Sequence, residues 1–235
     1  MATGTIILRP SADITVEDSS AYAHYVCPDG STSKYLLVNE EEADDSATYI
    51  HSEGNGGEDQ FISSFIMSGV IPKKNISITN IRFIYRYAMY YSITGSSATD
   101  TITINMGDNS ASVVWSMEKT DSMDSYVTQE ITGFDNLDTL LSELNDYIKA
   151  NGAGEFSAIT LTLYSTMIRG ETTKDSSIDA YITQLYLELD YEETDIGVYI
   201  KSSGEWLPAM QAFQKVSGAW AEITGEECKT ILQNL

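Results

Sequence analysis

Apolar and polar residues alternate with period two through most of this chain. The clearest strand is Ile76–Tyr91, where Ile81, Phe83, Tyr85, Tyr87, Met89 and Tyr91 take the odd positions from Ile81 onward and Asn80, Arg82 and Arg86 take even ones. Successive side chains of a strand point to opposite faces, so this pattern lays one face on a core and turns the other to solvent. The same reading makes strands of Thr5–Leu8, stopped by Arg9-Pro10, and of Tyr35–Val38 and Thr48–Ile50. Thr101–Ile104, Val113–Trp115, Gln129–Thr132 and Ile159–Leu163 follow, and Tyr181–Tyr191 carries Leu185, Leu187 and Leu189 on one face. Clusters of Gly, Asp, Asn and Ser divide them, as turns require.

One segment has helical spacing. Leu137, Leu140, Leu141, Leu144 and Ile148 form a single apolar stripe, which predicts a helix over roughly Leu137–Ala150. Asp135 or Asn136 is placed to cap its start, and Asn151-Gly152 to end it in a left-handed turn. Many short strands around one helix predict a mainly β protein, an antiparallel β-sandwich; a parallel α/β sheet needs several helices.

The pattern changes after Glu192-Glu-Thr-Asp195, a short acidic joint. Beyond it Tyr199-Ile-Lys-Ser-Ser-Gly-Glu-Trp206 returns as Phe213-Gln-Lys-Val-Ser-Gly-Ala-Trp220. Each copy holds an aromatic, an alternating stretch, a Ser-Gly corner and a Trp, the makings of a small β-hairpin. A lone hairpin is marginal in water, so two in tandem lean on each other, on the body, or on a partner. Residues 1–192 are therefore expected to form the sandwich and 193–235 a hairpin module. Within that module Tyr199, Trp206, Phe213 and Trp220 are the candidate partner-binding residues. A repeated Trp either packs the hairpins together or meets a partner.

Charge narrows the partners. The 235 residues include 35 acidic and 13 basic side chains, a net charge of −22. Such a field repels nucleic acid and anionic membrane surfaces and favours solubility. The most apolar window, Phe61–Ile71, is too short to span a bilayer, and the first residues show no basic-then-apolar secretory signal. Cys27 and Cys228 are the two cysteines and are expected to be free thiols.

Candidate chemistry is sparse. His24 and His51 are the two histidines, and neither stands in a metal-spaced cluster, which excludes the familiar zinc sites. There is no Gly-x-Ser-x-Gly elbow and no phosphate loop, and Gly54-Asn-Gly-Gly57 reads as a surface loop. Paired carboxylates are formally available for glycoside hydrolysis, but among so many acids pairs arise in any fold. The densest cluster, Glu40, Glu41, Glu42, Asp44 and Asp45, offers hard oxygens for Ca²⁺ without the order of a calcium loop; a solvated turn is the alternative. Tyr85, Tyr87 and Tyr91 share the apolar face of their strand and are expected in the core, not on a sugar platform. No catalytic residue, cofactor or resident metal is expected.

Three segments carry a resemblance: Ile7-Leu-Arg-Pro-Ser-Ala-Asp13, Leu37-Val-Asn-Glu40 with Ala43-Asp-Asp-Ser-Ala-Thr-Tyr-Ile50, and Ile182-Thr-Gln-Leu-Tyr-Leu-Glu-Leu-Asp-Tyr191. They resemble uncharacterised virion proteins of phages and prophages of Gram-positive gut bacteria. The Lys-x-Ser-Gly-x-Trp tail is similar to short C-terminal repeats on phage structural proteins. The resemblance implies a jelly-roll-like β-sandwich on the outside of the particle, of the head-decoration, head-fibre or tail-accessory type. Its implied partners are other virion proteins, with a homo-oligomer possible, and it brings no catalytic residues. The rival expectation is a carbohydrate-binding module that recognises host-surface glycan.

Overall fold

The computed structural model describes residues 3–18, 23–26, 33–45, 50–54, 58–73, 75–91, 95–122, 124–168, 178–193, 199–202, 205–208, 213–216 and 219–222. Cys27, Cys228 and the loop after Gly54 lie outside them. The chain divides into two compact units, Ala2–Glu192 and Glu193–Leu235.

The larger unit is mainly β and antiparallel. Its strands are β1 (Thr3–Asp18), β2 (Ala23–Val26), β3 (Ile50–Gly54), β4 (Glu58–Ile71) and β5 (Ile76–Tyr91). They continue with β6 (Ser97–Met106), β7 (Asn109–Met117), β8 (Val127–Ile131), β9 (Gly154–Ile168) and β10 (Ile178–Glu193). One sheet runs β3-β10-β5-β8, with β2 outside β3; the other runs β4-β9-β6-β7. Strands β3 to β10 thus alternate between sheets except at the β6–β7 hairpin, the double Greek key of a jelly roll. The period-two strands predict this class, and the strand order supplies the topology.

Both sheets face one core. Ile81, Phe83, Tyr85, Tyr87 and Met89 of β5 and Leu185, Leu187 and Leu189 of β10 pack against Phe65 and Met67 of β4, Ile102 and Ile104 of β6, and Leu161 and Leu163 of β9. Each such side chain contributes roughly 1.5–3 kcal/mol on leaving water. Tyr85 and Tyr87 are fully buried, as their place in the alternation requires, and Tyr91 is partly buried against the same core. The even side of β5 is not simply solvated: Ile84 and Ala88 are buried as well.

The helix α1 (Leu137–Asn151) packs Leu140, Leu144 and Ile148 into the core beside β5, β6 and β7. The side chain of Asn145 accepts from the backbone N–H of Ile78 at 2.7 Å and donates to its carbonyl at 3.0 Å, fastening the helix to the start of β5. Gly152 ends the helix at φ 84 and ψ −161, a conformation open to glycine but not the left-handed turn expected. The start differs from expectation. Asn136 takes the left-handed conformation at φ 61 and makes no side-chain cap.

Two further expectations are corrected. Arg9-Pro10 does not stop the first strand. β1 pairs through Thr3–Leu8 with β10 and through Arg9–Asp18 with β4, and Pro10 stands where it changes sheets, beside a register shift. A proline is tolerated at such an irregularity because no ladder hydrogen bond is needed from its nitrogen. Where β4 passes this point, a Cβ on Gly69 would lie 2.5 Å from the carbonyl oxygen of Ile7, so the crossing needs a glycine.

Tyr35–Val38 is not a strand. Lys34–Leu37 is a 3₁₀ turn because the carboxylate of Asp13 accepts from the backbone N–H groups of Lys34 at 2.7 Å and Tyr35 at 2.8 Å. The turn delivers Val38, whose carbonyl accepts from the N–H of Leu185 at 3.0 Å. That contact fills the stretch of β10 between its pairing with β3 at Ile178–Ile182 and with β1 at Leu187–Glu192.

The smaller unit holds two hairpins, β11 (Tyr199–Ser202) with β12 (Glu205–Pro208) and β13 (Phe213–Val216) with β14 (Ala219–Glu222).

Candidate functional site

The two hairpins repeat their register. Lys201 stands opposite Trp206 in the first, and Lys215 opposite Trp220 in the second. Tyr199 and Phe213 open the two units in the same place, opposite Pro208 and Glu222. The side-chain surroundings of Tyr199, Trp206, Phe213 and Trp220 lie outside what is described.

The acidic run Glu40–Asp45 is used within the fold. Gln184 donates to the carbonyls of Glu40 at 2.9 Å and Glu41 at 3.1 Å. Asp45 receives Arg86 through Nε at 2.8 Å and through Nη2, and Thr183 at 3.1 Å. The Arg86 hydrogen bonds hold the Asp45 carboxyl below the usual carboxylate range. Among the described residues no three His, Cys, Asp or Glu side chains are grouped to hold a metal. His24 and His51 fall on β2 and β3, opposite Glu53 and Val26 respectively, and their side chains lie outside the description.

A second arginine gathers three acids. Arg82 reaches Asp190 through Nη2 at 2.7 Å and Nε at 3.1 Å, Glu188 at 2.8 Å, and Glu130 at 3.3 Å. This ties β5, β10 and β8 together across one sheet, and the Arg82 hydrogen bonds push the Asp190 pKa down. Arg82→Met should cost about 1–3 kcal/mol in urea unfolding, the scale of charged hydrogen bonds lost. It leaves three carboxylates facing one another, so the variant should recover part of that loss in high salt while the parent does not. Equal salt responses would show that the acids do not repel across this face.

One chemical group escaped the sequence reading. Asp100 of β6 is completely buried on the inner face, between Ala98 and Ile102. Ser165 of β9, directly opposite in register, donates its hydroxyl to Oδ1. The Tyr85 hydroxyl, from the facing sheet, lies against the same carboxyl and 3.8 Å from Sδ of Met117. Oδ2 nonetheless has no partner within hydrogen-bond geometry. Burial outweighs the bonds and pushes the carboxyl up to about 6. The signal was in the parity: Asp100 stands in series with Ala98, Ile102, Ile104 and Met106, all buried.

No family model matches the chain, and no curated protein matches it. Among solved structures it is similar to a carbohydrate-binding module in complex with β-1,4-galactotriose, at 12% identity and TM-score 0.35, over 74% of this chain and 86% of that one. It is similar to isomalto-dextranase of Arthrobacter globiformis T6 complexed with panose, at 15% identity and TM-score 0.28, over 74% of this chain and 23% of that one. A structure of infectious bursal disease virus, Gt strain, is similar at 9% identity and TM-score 0.19, over 81% and 64%. Likenesses this loose decide nothing about activity, and the functional reading rests on the residues.

Proposed function

We propose that the protein is a non-enzymatic structural component of a phage particle, an exterior decoration or head-fibre protein. The jelly roll is the displayed body, and the hairpin unit docks it on other virion proteins. The observation that carries this reading is the repeated register of the hairpins, Lys201 opposite Trp206 and Lys215 opposite Trp220. One small unit used twice in succession suits attachment, because two weak contacts on one tether bind far more tightly than either alone. The resemblance of Ile7–Asp13, Ile182–Tyr191 and the tail repeats to virion proteins supports the same reading. The net charge of −22 favours the outside of a particle over its packaged DNA.

The chain should therefore be present in purified particles and visible in their density maps as a jelly roll on the outer surface. A chain ended after Glu193 keeps all of β10 and should keep its melting transition, yet fail to join particles lacking the full-length protein. Incorporation of the shortened chain at full occupancy would move docking from the hairpins to the body. Absence from particles would remove the virion reading altogether.

The rival reading, a carbohydrate-binding module, needs aromatic rings open to solvent. Tyr85 and Tyr87 are excluded from that use by their burial.

A further inference from the structure

We propose that the hollow where β5 ends against the chain between β7 and β8 is a binding site for a neutral oligosaccharide. Two adjoining hollows lie there. One, of about 370 Å³, is lined by Tyr90, Asp121, Ser122 and Asp124. Its neighbour, of about 230 Å³, shares Asp121 and adds Lys119 and Gln129 among its walls. The first alone falls in the roughly 300–1,000 Å³ range of small-ligand sites.

The walls are fixed. Thr120 is buried, and its backbone N–H and hydroxyl donate to the Met89 carbonyl at 2.8 and 3.0 Å, pinning the loop to β5. The N–H of Glu118 donates to the Tyr87 hydroxyl at 3.1 Å. Ser125 donates through its backbone N–H to the Ser122 carbonyl at 3.1 Å. The site is thus preorganised, which lowers the cost of ordering on binding.

The chemistry selects the ligand. Among the described residues the side chains of Asp121, Asp124 and Gln129 make no hydrogen bond or ion pair, unlike Asp45 and Asp190, which are held by arginines. Free carboxylates only accept, so they suit a ligand rich in hydroxyl donors, and Tyr90 supplies an apolar ring for its C–H face. Glu118, Asp121 and Asp124 outnumber Lys119, which turns away anions. Lys119 Nζ lies 4.7 Å from the Tyr91 ring centre and 5.5 Å from that of Tyr90, so its closer contact is with Tyr91. A neutral polyol matches the hydroxyl acceptors and the Tyr90 ring together. The site is on the body and does not depend on the docking role of the hairpins.

The test is an NMR titration of the full chain with maltotriose, cellotriose and β-1,4-galactotriose, each taken to about ten times a Kd of about 1 mM, with sialyllactose as the anionic control. At least one neutral trisaccharide should shift amides of 118–129 and 89–91 in a saturable way. Tyr90→Ala and, separately, the exposed Asp124→Ala should each weaken it tenfold or more. Tyr90→Phe should retain it, and all three should leave the melting transition in place. Silence from every neutral trisaccharide would overturn the proposal. Preference for sialyllactose, or shifts unchanged in Asp124→Ala, would do the same.

Discussion

Replacing Tyr85 by Ala should destabilise the body by about 3–5 kcal/mol, enough to bring a domain of ordinary stability close to unfolding. The ring is fully buried between the two sheets. It stacks on Phe83 at 5.5 Å and Tyr87 at 5.2 Å and meets Trp115 of β7 edge-on at 5.8 Å. Because β5 and β7 belong to different sheets, deleting this ring opens a void that neither sheet can close alone. Urea unfolding followed by circular dichroism reads the loss. Tyr85→Phe separates packing from polarity: it should cost only about 1 kcal/mol. It should also raise the Asp100 pKa further, since the lost hydroxyl favoured the ionised form. A loss under about 1 kcal/mol for Tyr85→Ala would mean the core collapses around the gap.

The second large effect depends on pH. Asp100 titrates near 3.8 when unfolded and at about 6 in the fold, so between those values the folded protein holds a proton that the unfolded chain has released. Stability from this group is therefore highest below pH 4, falls as pH rises to about 6, and is level above. The full span is on the order of 3 kcal/mol, at about 1.4 kcal/mol for each pKa unit. Asp100→Asn keeps an acceptor for Ser165 and removes the buried charge. It should be more stable than the parent by about 1–3 kcal/mol at pH 8 and should lack the decline between pH 4 and 6. Urea midpoints across that range decide it. A variant weaker than the parent at pH 8, with the decline intact, would place the titrating group elsewhere.

These two residues show what the sequence could and could not tell. Tyr85 was legible because apolar residues hold every odd position of β5 from Ile81 to Tyr91, and that series alone assigns a face. Asp100 obeys the same parity, but an aspartate between two threonines reads as polar until its apolar neighbours on the even positions are weighed. β4 was missed because Phe61–Ile71 does not alternate, with Ser63 and Ser64 both buried. The 3₁₀ turn at Lys34–Leu37 depends on Asp13, and β1 outlasts Pro10 only because a second sheet waits for it. Neither partner is a sequence neighbour. The hollow beside Tyr90 joins the end of one strand to a loop some thirty residues away. Only folding brings them together. The hairpins were the opposite case, since their register is local and repeats with the sequence.

The double allegiance of β1 has a mechanical consequence. Its first residue stands opposite the point where the chain leaves the body, Thr3 facing Glu192. A pull applied between those two points would load the β1–β10 ladder one rung at a time, peeling Thr3 through Leu8 in order. At Pro10 the geometry changes, because the next residues belong to the other sheet, and tension must then be carried along the ladder with β4 as shear. Strands resist shear, which strains many hydrogen bonds at once, far better than peeling, which breaks them singly. The body should therefore yield a short length of chain at low force, giving up Ile6 and Leu8 from the core, and then stop.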